Sequence, residues 1–145
     1  MKALVTGGAG FVGTNLIKRL LKDGYEVVSV DNYSTGDKKN HQDGCKYYEY
    51  DLSTEQPIPS IYVNYDVIFH LAALARIQPS LKDPHKTIFN NFVSTLNLLE
   101  YARKNNIRFV YAGSSSFHHG LYESPYAWSK FSGEDLCKLY SNVYD

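Results

Sequence analysis

The 145 residues predict an α/β fold, a Rossmann-like doubly wound parallel sheet of about five strands. Three observations carry that prediction. Short apolar runs alternate with segments of helical spacing along the whole chain. The first of these runs, Ala3-Leu4-Val5, passes through a glycine-rich turn (Gly7, Gly8, Gly10, Gly13) straight into a helical pattern. Polar residues also stand at the strand ends, namely Thr6, Asp31, Asp51, His70 and Ser114. In an open parallel sheet the ligand crevice lies beyond the carboxyl ends of the strands, so these residues fall where a ligand would bind.

The opening unit is the most informative. From Phe11 the apolar residues Phe11, Val12, Leu16, Ile17, Leu20 and Leu21 recur at three- and four-residue steps, and the helix should end near Gly24. Strand, glycine turn and helix together make a phosphate cradle. Glycine lets the backbone approach a pyrophosphate, and the N–H groups at the helix start face its charge. A second strand, Glu26 to Val30, runs into Asp31. A carboxylate about 20 positions beyond the glycines is placed to take the ribose hydroxyls of an adenosine.

The remaining elements follow in order. Lys46 to Tyr50 reads as an aromatic-rich strand ending at Asp51. Asp51 and Leu52 would flank an adenine, or the aspartate would be a helix N-cap before a short connection; the sequence leaves both open. Asp66 to His70 is a compact strand opening into Leu71-Ala72-Ala73. His70 reads as a structural histidine, and the small alanines signal close approach by a flat ligand or a tight helix–sheet contact. A long helix is expected over Pro84 to Lys104, with Ile88, Phe92, Leu96, Leu99 and Ala102 at helical spacing. Ile107 to Tyr111 forms the fifth strand and leads into Ala112-Gly113-Ser114. A last helix should run from about Pro125 toward Tyr140, with the proline in its first turn. Alternating strands and helices predict a sheet covered on both faces.

Composition excludes several classes. Fifteen basic and 15 acidic side chains leave no net charge, which argues against nucleic acid or an anionic membrane as the main partner. Cys45 and Cys137 lack metal-ligand spacing and read as reduced structural thiols, and no metal is expected. No segment has the length to span a bilayer. Met1-Lys2 leads directly into the first strand, so the expected location is the cytoplasm.

Tyr126 and Lys130 lie four apart on the last helix and therefore share a face. An ammonium beside a phenol favours the phenolate, which suits Tyr126 to acid/base work between a hydroxyl and a ketone. With 13 tyrosines in the chain that spacing alone is weak. The run Ser114-Ser115-Ser116 strengthens it, because a serine hydroxyl there could fix a substrate oxygen. The same run also suits a polar loop with a helix cap.

Thr6-Gly-Gly-Ala-Gly-Phe-Val-Gly13, Asp31-Asn32, Asp51-Leu52, His70-Leu-Ala-Ala73, Asn91, Ser114 to Ser116 and Ser124-Pro-Tyr-Ala-Trp-Ser-Lys130 occur here in one order. That order resembles the extended short-chain dehydrogenases/reductases, most closely the NAD-dependent sugar-nucleotide epimerase/dehydratase family and its UDP-glucose 4-epimerase branch. The resemblance implies that Gly7, Gly10, Phe11, Val12 and Gly13 hold a pyrophosphate and that Asp31 and Asn32 hold the adenosine ribose. It implies that Asp51 and Leu52 border the adenine, that Leu71, Ala72 and Ala73 line the cofactor cleft, and that Asn91 positions the site. Tyr126 would be the acid/base, and Lys130 would bond the nicotinamide ribose. Ser114 would orient the substrate, with Ser115 and Ser116 as alternatives. The cofactor implied is NAD, since Asp31 would repel the 2′-phosphate of NADP. The substrate implied is a nucleotide-sugar, UDP-linked, epimerised at C4 through a transient ketone. The family's dehydratases carry an Asp-Glu pair after the active-site serine or threonine, and its decarboxylases a glutamate. Serines and Phe117 stand there instead.

Two departures accompany the resemblance. Twelve positions separate Ser114 from Tyr126, a shorter connection than the family's, and His118-His119-Gly120 stand where a Tyr-Gly pair is usual. Both histidines are expected to be exposed rather than part of the site. The chain also corresponds only to the family's N-terminal part, residues 1–145 forming the cofactor domain without the C-terminal substrate domain. An unfinished sheet edge predicts an association surface, and a homodimer or homo-oligomer is expected.

Overall fold

The computed structural model describes residues 1–54 and 64–144. Five parallel strands make one sheet: β1 (Lys2–Thr6), β2 (Glu26–Asp31), β3 (Cys45–Glu49), β4 (Val67–His70) and β5 (Arg108–Tyr111). Their order is β3-β2-β1-β4-β5. The direction of winding reverses between β1 and β4, and a parallel sheet opens its ligand crevice at such a reversal. Leu4 lies level with Val28 and Ile68, Thr6 with Val30 and His70, so the carboxyl ends of β1, β2 and β4 finish together. These bounds match the sequence expectation to within one residue.

Among the described residues there are four α-helices, three between strands and one after β5: α1 (Phe11–Lys22), α2 (Ile77–Lys82), α3 (Pro84–Asn105) and α4 (Pro125–Tyr144). The two longest helices, α3 and α4, start where the sequence supplies a side-chain cap. Asp83 accepts from Lys86 N at 3.0 Å with Pro84 in the first turn, and Ser124 Oγ accepts from Ala127 N at 3.1 Å ahead of Pro125. Asn106, at φ 52°, stops α3 in the left-handed conformation that asparagine tolerates.

Two apolar layers flank the sheet. Ala3, Val5, Val27 and Val67 pack with Ile17 and Leu20 of α1. Leu4, Val28, Val30 and Ile68 pack with Leu98 and Ala102 of α3 on the opposite face, where α4 lies against α3. Three expectations need correction. Phe11 and Val12 are exposed, and the buried face of α1 is Gly13, Thr14, Ile17 and Leu20. The buried stripe of α3 is polar in its first half (Thr87, Asn91, Ser94, Thr95), while Ile88, Phe92 and Leu96 are only half-buried. Hydrogen bonds within α3 and to neighbouring elements satisfy those polar groups, which makes their burial tolerable. Finally, the α1 face is not covered throughout: Val110, level with Phe69 and Val5 in the sheet, remains exposed. Both cysteines are unpaired and half-buried, and burial pushes each thiol up to about 11. Among the described residues no helix is long and apolar enough to cross a membrane.

Candidate functional site

The turn after β1 is built by contacts that only glycine allows. Gly7 has φ +70°, and a Cβ there would lie 2.9 Å from the Ala72 backbone. The turn is thereby pressed onto the chain leaving β4, and the small residue at 72 is part of the same contact. A Cβ on Gly13 would collide with the Gly7 carbonyl, so the start of α1 sits against the turn. At Gly10 a Cβ would meet only Gly7 O, at 3.3 Å. Gly10 opens the helix without a side-chain cap, its carbonyl accepting from Thr14 N at 3.0 Å. The first backbone N–H groups of a helix have no partner within it and carry its positive end.

Asp31 is buried at the end of β2. Its Oδ2 accepts from Ala9 N at 3.0 Å and its Oδ1 from Tyr33 N at 2.8 Å, so the carboxylate is oriented by the glycine loop on one side and its own turn on the other. Asn32 is exposed and donates to Asp51 Oδ2 at 3.4 Å. Asp51 Oδ1 accepts from Ser53 N at 2.9 Å and from Ser53 Oγ at 2.6 Å, capping a turn. Burial opposes the charge of Asp51, yet the Ser53 and Asn32 donors and the Lys86 ammonium outweigh it and hold the carboxyl below its ordinary value. Asp51 therefore caps a turn rather than a helix, and it also lines a cavity.

That cavity, of about 440 Å³, lies over the carboxyl ends of β1, β2 and β4. Gly7, Gly10, Phe11, Val12 and Gly13 line one wall, Asp31, Asn32, Asp51 and Leu52 another, and Leu71, Ala72, Ala73 and Asn91 the third. Exposure of Phe11 and Val12 is explained here, because they form the mouth. Asn91 is buried and ties three elements together. Its Oδ1 accepts from Leu74 N at 2.8 Å, and its Nδ2 donates to Ser129 Oγ of α4 at 3.0 Å. Sequence reasoning missed Ser34, Thr35 and Gly36, although their turn composition one residue after Asp31-Asn32 was a usable signal. It also missed Arg76, the one cation among the described residues lining this cavity.

The expected chemical residues lie outside that lining. Tyr126 is half-buried in the first turn of α4, its N–H donating to Ser80 Oγ at 3.3 Å. Ser129 Oγ donates to Tyr126 O at 2.9 Å, so the bond from Asn91 to Ser129 links the cavity to the tyrosine's turn. Lys130 is buried, with Nζ 4.1 Å from the centroid of the Tyr111 ring. Burial lowers its ammonium to about 8, partly offset by the negative charge of Glu134. Ser114 caps a short 3-10 turn. Its Oγ accepts from Ser116 N at 3.2 Å and donates to Ser116 Oγ at 3.0 Å, and its N–H donates to Glu134 Oε1 at 3.3 Å. Ser115 is exposed and Ser116 half-buried. His118 is exposed on that turn, and the His119 side chain lies outside the described residues.

Comparison with known proteins gives the family. Residues 3–145 match the model of the NAD dependent epimerase/dehydratase family. A UDP-glucuronic acid decarboxylase 1 of Danio rerio is 36% identical over 117 residues, 81% of this chain and 28% of the decarboxylase. A UDP-glucose 4-epimerase of Mycolicibacterium smegmatis is 33% identical over 166 aligned positions, 100% of this chain and 53% of the epimerase. Among solved structures, the UDP-glucose 4-epimerase of Thermotoga maritima with UDP-glucose superposes with a TM-score of 0.92 at 30% identity, covering 99% of this chain and 52% of that one. The Thermus thermophilus UDP-glucose 4-epimerase in complex with NAD gives 0.88 at 30% identity over the same shares. The chain therefore spans about half the length of the epimerases it matches. The chain belongs to the NAD-dependent epimerase/dehydratase family.

Proposed function

We propose that residues 1–145 form the NAD-binding domain of a nucleotide-sugar epimerase that inverts C4 of a UDP-hexose, the sugar being gripped by a further domain. The observation that carries the reading is convergence. Residues from the β1 turn, the ends of β2 and β3, the exit of β4 and the middle of α3 meet on one cavity. NAD fits the residues present. Gly10 brings no side chain to the turn, the helix start carries N–H groups without helical partners, and Asp31 offers a buried, oriented carboxylate to a ribose diol.

Gly7, Gly10, Phe11, Val12 and Gly13 would hold the diphosphate, Asp31 and Asn32 the adenosine ribose, and Asp51 and Leu52 the adenine. Leu71, Ala72 and Ala73 would line the cleft toward the nicotinamide, and Asn91 keeps that wall in register with α4. When bound, NAD supplies the reversible oxidation of the sugar carbon. The chain's own residues handle the proton. Tyr126 takes it from the C4 hydroxyl and returns it to the ketone oxygen, and Lys130 bonds the nicotinamide ribose. Ser114 holds the sugar oxygen, turning its hydroxyl from Ser116 to the substrate; Ser115 and Ser116 are the alternatives. Epimerisation is favoured over decarboxylation or dehydration because Ser115, Ser116 and Phe117 offer no carboxylate beside the substrate.

In a protein extended to the length of its relatives, Tyr126→Phe should slow interconversion of UDP-glucose and UDP-galactose by about 100-fold or more, with NAD still bound. Near-normal turnover rejects the assignment. One observation favours a second reading, a nucleotide-binding module without catalysis: Ser114, Tyr126 and Lys130 stand outside the cavity lining. Turnover by the 145 residues alone would eliminate it.

A further inference from the structure

The glycine loop and the Asp31 carboxylate meet at Ala9, a fully buried residue whose backbone is engaged at both ends. Its N–H donates to Asp31 Oδ2 at 3.0 Å. Its carbonyl accepts from Asn40 Nδ2 at 2.8 Å and from Asp37 N at 3.2 Å, both in the segment between β2 and β3. Neither Asn40 nor Asp37 lines the cavity.

We propose that Asn40 is a positioning residue, one that fixes the glycine loop for a diphosphate by holding the Ala9 carbonyl; the inference rests on the NAD-site reading above. Chemistry settles the orientation of the Asn40 amide. A carbonyl oxygen only accepts, so the group 2.8 Å from it is the NH₂ end. The Ala9–Gly10 peptide is planar, so its carbonyl and the Gly10 N–H turn together. Asn40 holds one end of that plane, and the Gly10 N–H donates to Gly7 O at 3.1 Å at the other. Gly10 in turn opens α1 through the bond from Thr14 N. Fixing this one plane therefore aims the first amides of the helix. Asn40 is itself anchored: its backbone N–H donates to Asp37 O at 2.9 Å, and its carbonyl accepts from Gln42 Nε2 at 2.7 Å. Gln42 N–H donates to Tyr47 Oη of the edge strand at 3.0 Å. A chain of contacts from β3 through Gln42 and Asn40 thus reaches the Ala9 carbonyl, on the phosphate side of the site.

The test compares ADP with adenosine, titrated calorimetrically into the wild-type chain, Asn40→Ala and Asn40→Asp. Losing one hydrogen bond behind the loop should weaken ADP by about 5- to 10-fold in Asn40→Ala. Adenosine affinity should stay within about twofold, because the adenosine contacts are left in place. Asn40→Asp keeps the shape but sets an acceptor against an acceptor, and should weaken ADP more than alanine does. Should Asn40→Asp fail to fold, the alanine variant decides alone. Amide exchange at Gly10 in the ligand-free Asn40→Ala chain should be faster than in wild type. Unchanged ADP affinity, unchanged exchange, or an equal loss for adenosine and ADP would overturn the role of Asn40 alone. A wild-type chain that binds neither ADP nor NAD would instead overturn the cofactor reading, and this inference with it.

Discussion

Lowering the pH from 7.5 to 5 should weaken the fold by about 2 kcal/mol through His70 alone. The ring lies buried at the end of β4 in a chain of bonds that admits only its neutral form. Thr6 Oγ1 accepts from the backbone N–H of Leu71 at 3.2 Å and of Ala72 at 3.1 Å. Its own proton is then directed at His70 Nδ1, 2.7 Å away, which makes Nδ1 an acceptor. Nε2 carries the ring proton and donates to Thr95 Oγ1 at 3.1 Å, and Thr95 passes its proton to Asn91 O at 2.7 Å. Burial, helped by the charge of Lys130, lowers the ring from its ordinary 6.5 to about 3. The unfolded chain therefore takes up a proton below 6.5 that the folded chain refuses. The contribution is fully present above about 6.5 and is lost as the pH falls toward 3. From 6.5 to 5 is about 1.5 pH units at about 1.36 kcal/mol each, which gives the figure above. Urea unfolding at pH 7.5, 6 and 5 measures it, with His70→Gln as the non-titrating reference. Carboxylates such as Glu100, held at about 2 by Arg103 and Tyr140, add losses mainly below pH 5, outside this window. Equal losses for wild type and His70→Gln between pH 7.5 and 5 would refute the reasoning, as would a His70 ring resonance that titrates in the native protein near 6.

Two further substitutions probe the loop above the sheet. Ser29 Oγ is buried beneath Gly8 and has no hydrogen-bond partner among the described residues, so Ser29→Ala should be neutral or stabilising by up to about 1 kcal/mol in thermal melts. A loss above that size would show that the hydroxyl has a partner. Gly7→Ala must hold φ +70° with a Cβ 2.9 Å from Ala72, and should cost at least about 1–2 kcal/mol and abolish measurable NAD binding. Unchanged binding in that variant would mean that the turn does not hold the diphosphate.

The sheet was legible because a parallel strand buried on both faces leaves an apolar run that needs no alternation, as in Ala3-Leu4-Val5 and Val67-Ile68-Phe69. The cavity wall was legible for a related reason. Gly7, Gly13 and Asp31 are residue types whose backbone freedom or charge is demanded locally, within one strand–turn–helix unit. What escaped lacks such a local signature. α2 has only six residues and carries Pro79, too short for periodicity to emerge. The stripe of α3 misled because Thr87, Asn91 and Thr95 are buried through bonds to residues far along the chain or back along the helix, which an apolar pattern does not reveal. Phe11 and Val12 fit a helical core pattern yet face the cavity mouth, since apolar spacing cannot tell a core from a ligand wall. Asn40 was invisible because its partner is a backbone carbonyl 31 residues earlier. Ser114, Tyr126 and Lys130 were read from spacing and resemblance, and their joint geometry depends on the connection between β5 and α4, whose 3-10 turn no periodicity announces.

The account rests on a diphosphate at the head of α1 and an adenosine ribose against Asp31, and titration of the chain with NAD and NADP tests it most directly. Both Asp31 oxygens are already fixed by backbone donors, so the carboxylate cannot swing away from a 2′-phosphate. NAD should bind with a 1:1 heat signature, and NADP at least about tenfold more weakly. Absence of NAD binding, or NADP binding as tight as NAD, would contradict the account.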